Sequence, residues 1–304
     1  MRRRGGLNFL RHFSPRQRAS HTCLRGLAFA VAGWLLRRSA APAVSVPLDL
    51  DLVRMCARVS SLAYAPQGGG RDKGWPRELQ RPIVVTDESC DSLAALAPVR
   101  GSGGCSRIVV ACRGSATLRG FLTNLQLQPV ELAEALAQLE EPGLETLRAK
   151  ASSTRAAVHG GFLKAALGLY RPLRKSLADL AEYPSSEVVF TGHSLGAATA
   201  MLLALLFSFD IAPSSAPRGA VTFAEPRMGN AAFVNLWDEA VRGPAAALIH
   251  DSDSIVLQNQ QLWASLGYEQ RRGTMPCSRD ELSVKMDSDF DPLLSNSFTS
   301  LLTP

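Results

Sequence analysis

Short apolar runs alternate with amphipathic stretches along most of the chain. Five runs rich in β-branched residues have the length and composition of buried strands: "RPIVVT" (81–86), "RIVVACRG" (107–114), "EVVFTG" (187–192), "GAVTFAEP" (219–226) and "AALIHD" (246–251). Apolar strands that alternate with helical stretches predict a mostly parallel, buried sheet flanked by helices, which is the α/β fold class.

Two amphipathic helices are predicted from apolar stripes at helical spacing. The stretch "LDLVRMCARVSSLAYA" (50–65) places Leu52, Cys56, Val59 and Leu62 on one stripe. A longer stripe before the third apolar run consists of Phe162, Ala166, Leu169, Leu173, Leu177 and Leu180. We expect both helices to bury these stripes against the sheet.

Residues 126–150 have a different character. Leu132, Leu136 and Leu139 form a stripe beside Glu131, Glu134, Glu140 and Glu141, and Pro142 with Gly143 then breaks the helix. A solvated surface helix is the favoured interpretation of this segment. The alternative is an amphipathic lid that opens toward lipid.

Positive charge is concentrated at the N-terminus. The formal net charge is +6, but residues 1–48 hold nine of the 33 basic residues, all of them arginine, and no acid. The remaining 24 basic residues stand against 27 acidic ones, a net charge of −3, so the rest of the chain gives no electrostatic reason to expect nucleic-acid binding.

This leader, residues 1–48, predicts a targeting segment ahead of one domain at residues 49–304. Its Arg-rich, acid-free composition favours an organelle transit peptide, for a plastid rather than a mitochondrion. A secretory signal and a membrane-surface anchor are the alternatives, because "GLAFAVAGWLL" (26–36) is apolar but too short to span a bilayer. The six cysteines have no CxxC pair and no metal-ligand spacing, so no metal site is expected.

The stretch "GHSLG" (192–196) satisfies G-x-S-x-G between a predicted strand and an apolar helix. A serine at such a turn needs strained backbone angles, and the glycines at 192 and 196 remove side chains that would collide there. The helix that follows points its N-terminus at the hydroxyl, where backbone N–H groups can stabilise an oxyanion. Ser194 is therefore the candidate nucleophile.

Several motifs in order resemble the class 3 lipases, the fungal triacylglycerol lipase type among the α/β-hydrolases. They are "IVVACRGS" (108–115), "VHGGFLKA" (158–165), "VVFTGHSLGAA" (188–198), "TFAEPRMGN" (222–230) and "IHDSDSIV" (249–256), and the likeness covers approximately residues 53–273. The resemblance implies an α/β-hydrolase fold and hydrolysis of glycerolipid acyl esters without a metal or organic cofactor. It also implies contact with a membrane or lipid-droplet surface.

The resemblance assigns roles to four residues. Ser194 is the nucleophile, Asp253 is the triad acid, and Ser115 and Leu195 supply backbone N–H groups to the oxyanion hole. Asp251 is the alternative acid, although spacing from the preceding histidine favours Asp253. The oligomeric state is not indicated.

The chain also departs from the family pattern. Ala224 and Glu225 replace a small pair before Pro226, which the sequence suggests is a modest change, and the family's Tyr-x-His reads Tyr268, Glu269, Gln270. No histidine follows Asp253 in the 304 residues, where the family carries its catalytic histidine.

Three interpretations of the histidine are open. In the first, the sequence stops short of the histidine-bearing loop; in the second, His250 substitutes as the base; in the third, the protein is an inactive or weakly active lipid-binding relative on the same fold. Of the other histidines, His159 matches a structural position of the family, and His193 is the variable residue of the G-x-S-x-G motif.

Overall fold

A mixed seven-stranded sheet forms the centre of the protein. The computed structural model describes residues 49–64, 75–99, 107–114, 129–139, 141–180, 186–210, 217–250, 263–271 and 274–277. The sheet contains β1 (Ile83–Asp87), β2 (Ser92–Pro98), β3 (Arg107–Cys112), β6 (Glu187–His193), β7 (Arg218–Phe223), β8 (Ala245–His250) and β9 (Thr274–Cys277). A separate two-stranded sheet pairs β4 (Pro129–Glu131) with β5 (Ala157–His159).

Six α-helices connect or cover these strands within the described residues. They are α1 (Leu50–Leu62), α2 (Leu132–Ala137), α3 (Glu145–Thr154), α4 (Gly160–Ala178), α5 (Leu195–Phe209) and α6 (Ala231–Ala240). Short 3-10 turns occupy Glu88–Cys90 and Pro142–Leu144. No helix in the described ranges combines the length and the apolar character that crossing a bilayer requires.

The strand order is β1-β2-β3-β6-β7-β8-β9. The first three strands are antiparallel neighbours, and every pair from β3 to β9 is parallel. The prediction of an α/β fold with a mostly parallel sheet is confirmed. Since β6 lies between β3 and β7, the residue that follows β6 emerges at the middle of the sheet's carboxyl edge.

Helices pack on both faces of the sheet. On one face, α4 and α5 form the largest hydrophobic cluster together with inward residues of β3 and β6 such as Ile108 and Phe190. On the other face, α1 covers β6, β7 and β8 through Leu52, Val53 and Cys56. Leu52, Cys56 and Val59 are buried as predicted, whereas Leu62 is only half-buried.

The segment that could act as a lid is folded onto the core in its described part. Leu132 and Leu136 are buried in the same cluster as α4 and α5, and Leu139 packs beside them half-buried. The helix predicted here ends at Ala137, and a 3-10 turn that begins at Pro142 leads into α3. The apolar stripe therefore contributes to the core in this conformation. The predicted leader lies outside the described residues.

Candidate active site

Ser194 occupies a strained turn between β6 and α5, and this turn with its flanking residues (192–196) is called the elbow. Its φ of 56° and ψ of −119° lie in a region that residues with a Cβ seldom adopt. Such a conformation costs about 1–3 kcal/mol and persists only where surrounding contacts impose it. Here the Ser194 N–H donates to the Phe223 carbonyl at 3.0 Å, and the Ser194 carbonyl accepts from Ala197 and Ala198 at 2.9 and 3.2 Å.

Two glycines make room for this turn. A Cβ on Gly192 would lie 2.3 Å from the backbone of Gly196, and a Cβ on Gly196 would lie 2.3 Å from the Cys112 carbonyl oxygen. Both distances are far below van der Waals contact. The steric requirement predicted from G-x-S-x-G is therefore present in the structure, because β6, α5 and the end of β3 approach too closely for any residue other than glycine.

Helix α5 begins directly after Ser194, which is its N-cap residue. Thirteen of the fifteen α5 residues are buried, so the helix axis is fixed by packing on all sides. Leu195 is its first residue, and the first N–H groups of a helix have no partner within the helix. The Leu195 N–H is thus adjacent to Ser194 in the chain, and its role as an oxyanion donor stays a prediction.

The other two predicted site residues, Ser115 and Asp253, lie outside the described residues, and so does the alternative acid Asp251. The segments that directly precede Ser115 and Asp251 in the chain are described. Gly114, directly before Ser115, has its nitrogen only 2.9 Å from where a Cβ on Gly196 would lie, so that chain reaches the elbow. β8 ends at His250, and its partner β7 carries Phe223 beneath Ser194. The assignments of Ser115 and Asp253 stay predictions.

Tyr64, just after α1, lies between the end of β6 and the residues that follow β3. This contact was not predicted from the sequence. The Tyr64 hydroxyl donates to the His193 carbonyl at 3.3 Å and lies 3.4 Å from His193 Nδ1. The same oxygen is 2.0 Å from where a Cβ on Gly114 would lie. Burial raises the pKa of Tyr64 to about 12, against smaller opposing effects of a Gly114 backbone hydrogen bond and the Arg113 charge. Tyr64 therefore stays protonated at physiological pH, and its hydroxyl remains a hydrogen-bond donor to the His193 carbonyl.

His159 has a structural role at the start of α4. His159 caps α4, where its Nδ1 accepts from the Gly161 N–H at 3.2 Å and its ring stacks 4.2 Å from Phe162. Burial lowers the pKa of His159 to about 4, so this ring is neutral and structural, as its motif position suggested.

The departure at Ala224 and Glu225 is larger than the sequence suggests. Ala224 has a φ of 49°, a left-handed conformation that favours glycine. Glu225 is buried and receives two hydrogen bonds from the guanidinium of Arg271, which is also buried. Arg271 directly follows the Tyr268, Glu269, Gln270 departure, so the two departures from the family pattern meet in space.

The described residues show no grouping of three His, Cys, Asp or Glu side chains that could hold a metal ion. The structure thus has a strained serine turn between a strand and the N-terminus of a buried helix. That arrangement can form an acyl-enzyme and stabilise a tetrahedral oxyanion.

Comparisons with known proteins agree with this architecture. The family described as "Lipase (class 3)" matches residues 109–258. A lipase from Rhizomucor miehei is 33% identical over 130 residues, covering 42% of this chain and 31% of the relative. Phospholipase A1-II 1 from Oryza sativa subsp. indica is 30% identical over 200 residues, covering 61% of this chain and 44% of the relative. The chain thus spans less than half of the length of either relative.

Solved structures show the same fold. The Rhizomucor miehei lipase propeptide complex superposes with a TM-score of 0.58 at 23% identity, covering 76% of this chain and 69% of that one. A triacylglycerol lipase from Penicillium expansum gives a TM-score of 0.56 at 15% identity, covering 77% and 82%. Together with the turn at Ser194 and the strand order, these comparisons identify residues 109–258 as a region that matches the class 3 lipase family.

Proposed function

We propose that this chain is a serine hydrolase that cleaves acyl esters of glycerolipids through an acyl-enzyme at Ser194. The observation that carries the proposal is the strained conformation of Ser194 between a central parallel strand and the N-terminus of a buried helix. Relatives named as a lipase, a phospholipase A1 and a secreted mono- and diacylglycerol lipase of Gibberella zeae support the substrate class.

The reaction follows from the geometry of the elbow. Ser194 Oγ attacks the ester carbonyl while a base takes its proton, and the carbonyl oxygen becomes an oxyanion beside the Leu195 N–H. The C–O bond to the glycerol oxygen breaks, and that oxygen receives the proton. Water then attacks the acyl-enzyme by the same route and releases the fatty acid. Asp253 would orient the base, and Ser115 would supply the second N–H of the oxyanion hole.

The proposal extends to the head group of the lipid substrate and to the lipid surface that presents it. Triacylglycerols, phospholipids and galactolipids all contain the acyl ester that Ser194 would attack, and a peripheral contact with a membrane or lipid droplet would present them. Initial rates on dispersed lipids of each class rank the substrates. A preference for galactolipids would support the plastid location that the leader suggests.

The decisive experiment is intact-mass labelling of the full chain with a fluorophosphonate. We expect one label on the wild-type protein and none on Ser194→Ala. Ser208→Ala is the matched control, because Ser208 lies on the same helix with its hydroxyl bonded to the Ala204 carbonyl at 2.7 Å. Loss of labelling in His250→Ala alone would identify His250 as the base.

A folded wild-type chain that is not labelled would contradict the hydrolase proposal. The lipid-binding alternative would then be tested by sedimentation with vesicles that contain the same lipids. Removal of a triad member leaves a rate roughly 10³–10⁴-fold above water, so slow labelling has to be compared with a free serine derivative before it is called absent.

The leader supports a proposal on location. An acid-free segment with nine arginines favours import into an organelle, with secretion or membrane association as alternatives. A fluorescent protein fused behind residues 1–48 tests this directly. Plastid fluorescence and loss of the leader from the imported product support import, whereas secretion or retention at a membrane supports the alternatives.

A further inference from the structure

A buried ion pair lies close behind the elbow. The side chains of Glu225 and Arg271 each expose 2% of their surface. Arg271 Nε donates to Glu225 Oε1 at 3.3 Å, and Nη2 donates to Oε2 at 3.2 Å, so the contact is bidentate and directional. Two charges removed from water in this way are costly unless their remaining hydrogen-bonding capacity is satisfied.

Neighbouring groups stabilise each of the two charges. The Thr222 hydroxyl donates to Glu225 Oε2. The Arg271 guanidinium lies 4.5 Å over the indole of Trp237, whose Nε1 donates to the Met201 carbonyl of α5 at 3.0 Å. The pair therefore joins the end of β7 to α6 and, through Trp237, to the helix that follows Ser194.

The turn at Ala224 connects Glu225 to Phe223, whose carbonyl contacts Ser194. Phe223 accepts the Ser194 N–H through its carbonyl, and Ala224 comes next with its left-handed φ of 49°. Ala224 also donates its N–H to the Leu248 carbonyl at 2.8 Å. Alanine gains nothing from this conformation by itself, so its neighbours must impose it. Glu225 is the neighbour that is fixed by a side-chain interaction.

We propose that the Glu225–Arg271 pair is a positioning device for the nucleophile: it holds Ala224 in its left-handed conformation and thereby keeps the Phe223 carbonyl under the Ser194 N–H. The reaction being positioned is the one proposed above, so the catalytic part of this inference rests on that proposal. A buried apolar pair of the same volume would fill the space but would not fix the direction of the turn.

The double variant Glu225→Gln with Arg271→Met separates positioning from folding. It removes both buried charges together, so its melting temperature should stay near that of the wild type, while the single variant Glu225→Gln leaves Arg271 unpaired and should melt several degrees lower. The double variant should label with fluorophosphonate about 10- to 100-fold more slowly, the loss expected from a displacement of the reacting atom by up to about 1 Å.

A second readout does not depend on chemistry. Hydrogen exchange of the Ser194 amide reports directly on its bond to the Phe223 carbonyl, and it should be about tenfold faster in the double variant. Ala224→Gly added to the double variant should restore much of the labelling rate and of the protection, because glycine adopts the left-handed conformation without help. A purely structural role for the pair predicts no such rescue.

The matched control is the ion pair between Arg174 and Asp210. It joins α4 to the residue after α5 at 2.8 Å, away from the elbow, and its variant Arg174→Met should keep the wild-type labelling rate. If the double variant keeps wild-type labelling and wild-type exchange at Ser194, the positioning role is wrong. If the wild type is not labelled at all, the hydrolase proposal fails, and amide exchange alone still decides whether the pair holds the turn.

Discussion

Single residues impose the geometry of the elbow. Ser194 was predicted from a five-residue motif because the small neighbours that its turn requires, Gly192 and Gly196, lie within two positions of it in the sequence. Tyr64 was not, since it meets His193 from 129 positions away. Glu225 was read only as a departure from a pattern, and Arg271, 46 positions away, was not singled out at all. Local steric needs are visible in a sequence, whereas contacts made by the folded chain are not.

The clash at Gly196 leads to a first prediction. Gly196→Ala should lower the free energy of unfolding by more than about 2 kcal/mol and slow Ser194 labelling, because its Cβ meets the Cys112 carbonyl at 2.3 Å. Gly267→Ala is the control. Gly267 has a φ of 82° with nothing within 4 Å of its added Cβ, so only backbone strain of about 1 kcal/mol is expected. Urea unfolding of both variants checks the difference, and equal losses would contradict the steric argument.

Tyr64→Phe tests the link between the two sides of the elbow. Loss of the hydroxyl removes the bond to the His193 carbonyl, which should cost about 1 kcal/mol of stability and reduce the labelling rate of Ser194. Since the pKa of Tyr64 is raised to about 12, the ratio of variant to wild-type rates should be constant between pH 6 and 9. A ratio that changes across this range would show that another group is involved.

Elements follow their side-chain patterns to different degrees. β1, β3, β6, β7 and β8 coincide with the predicted runs because their β-branched residues suit a strand. β2 was not predicted, although all seven of its residues are buried, because Ser92–Pro98 is rich in alanine and leucine and reads equally well as helix. β9 is short, and it contains a proline that argues against a strand.

The start of α4 should make stability depend on pH. Burial lowers the pKa of His159 from 6.5 to about 4, so the unfolded chain binds this proton before the folded protein does. The resulting contribution is complete above pH 6.5 and is lost as pH falls toward 4. We expect a loss of about 1–2 kcal/mol between pH 7 and 5 from this residue.

His159→Asn isolates that effect. Asparagine can still accept the Gly161 N–H at the helix start but does not titrate. The variant should be less stable at pH 7, and its stability should fall less between pH 7 and 5. Denaturant unfolding at both pH values measures this, and parallel losses in the two proteins would exclude His159 as the source.

The α2 segment can be tested as core or lid. Leu136 is 3% exposed, and Leu136→Ala should cost about 2–4 kcal/mol if α2 stays packed on the core. Leu139→Ala, on the same stripe but half-buried, should cost clearly less. Equally small losses would show that the segment opens in solution and would favour the lid interpretation. Both values come from urea unfolding.

The whole molecule combines a basic leader with a weakly acidic body. The full chain should bind vesicles that contain anionic lipid more tightly than neutral vesicles, and added salt should weaken this binding. Replacement of the nine leader arginines by glutamine changes the net charge from +6 to −3 and should remove the preference. Co-sedimentation measures it, and a preference that survives the replacement would place the lipid contact in the body.

The dependence of Ser194 on distant strands has a consequence for biosynthesis. Ser194 leaves the ribosome before Phe223, whose carbonyl holds the Ser194 amide, and before Arg271, which secures the turn beyond it. A nascent or partly unfolded chain therefore carries an ordinary, unreactive serine. The strained conformation of Ser194 that the proposed reaction needs can therefore form only after these later segments have been synthesised and have folded.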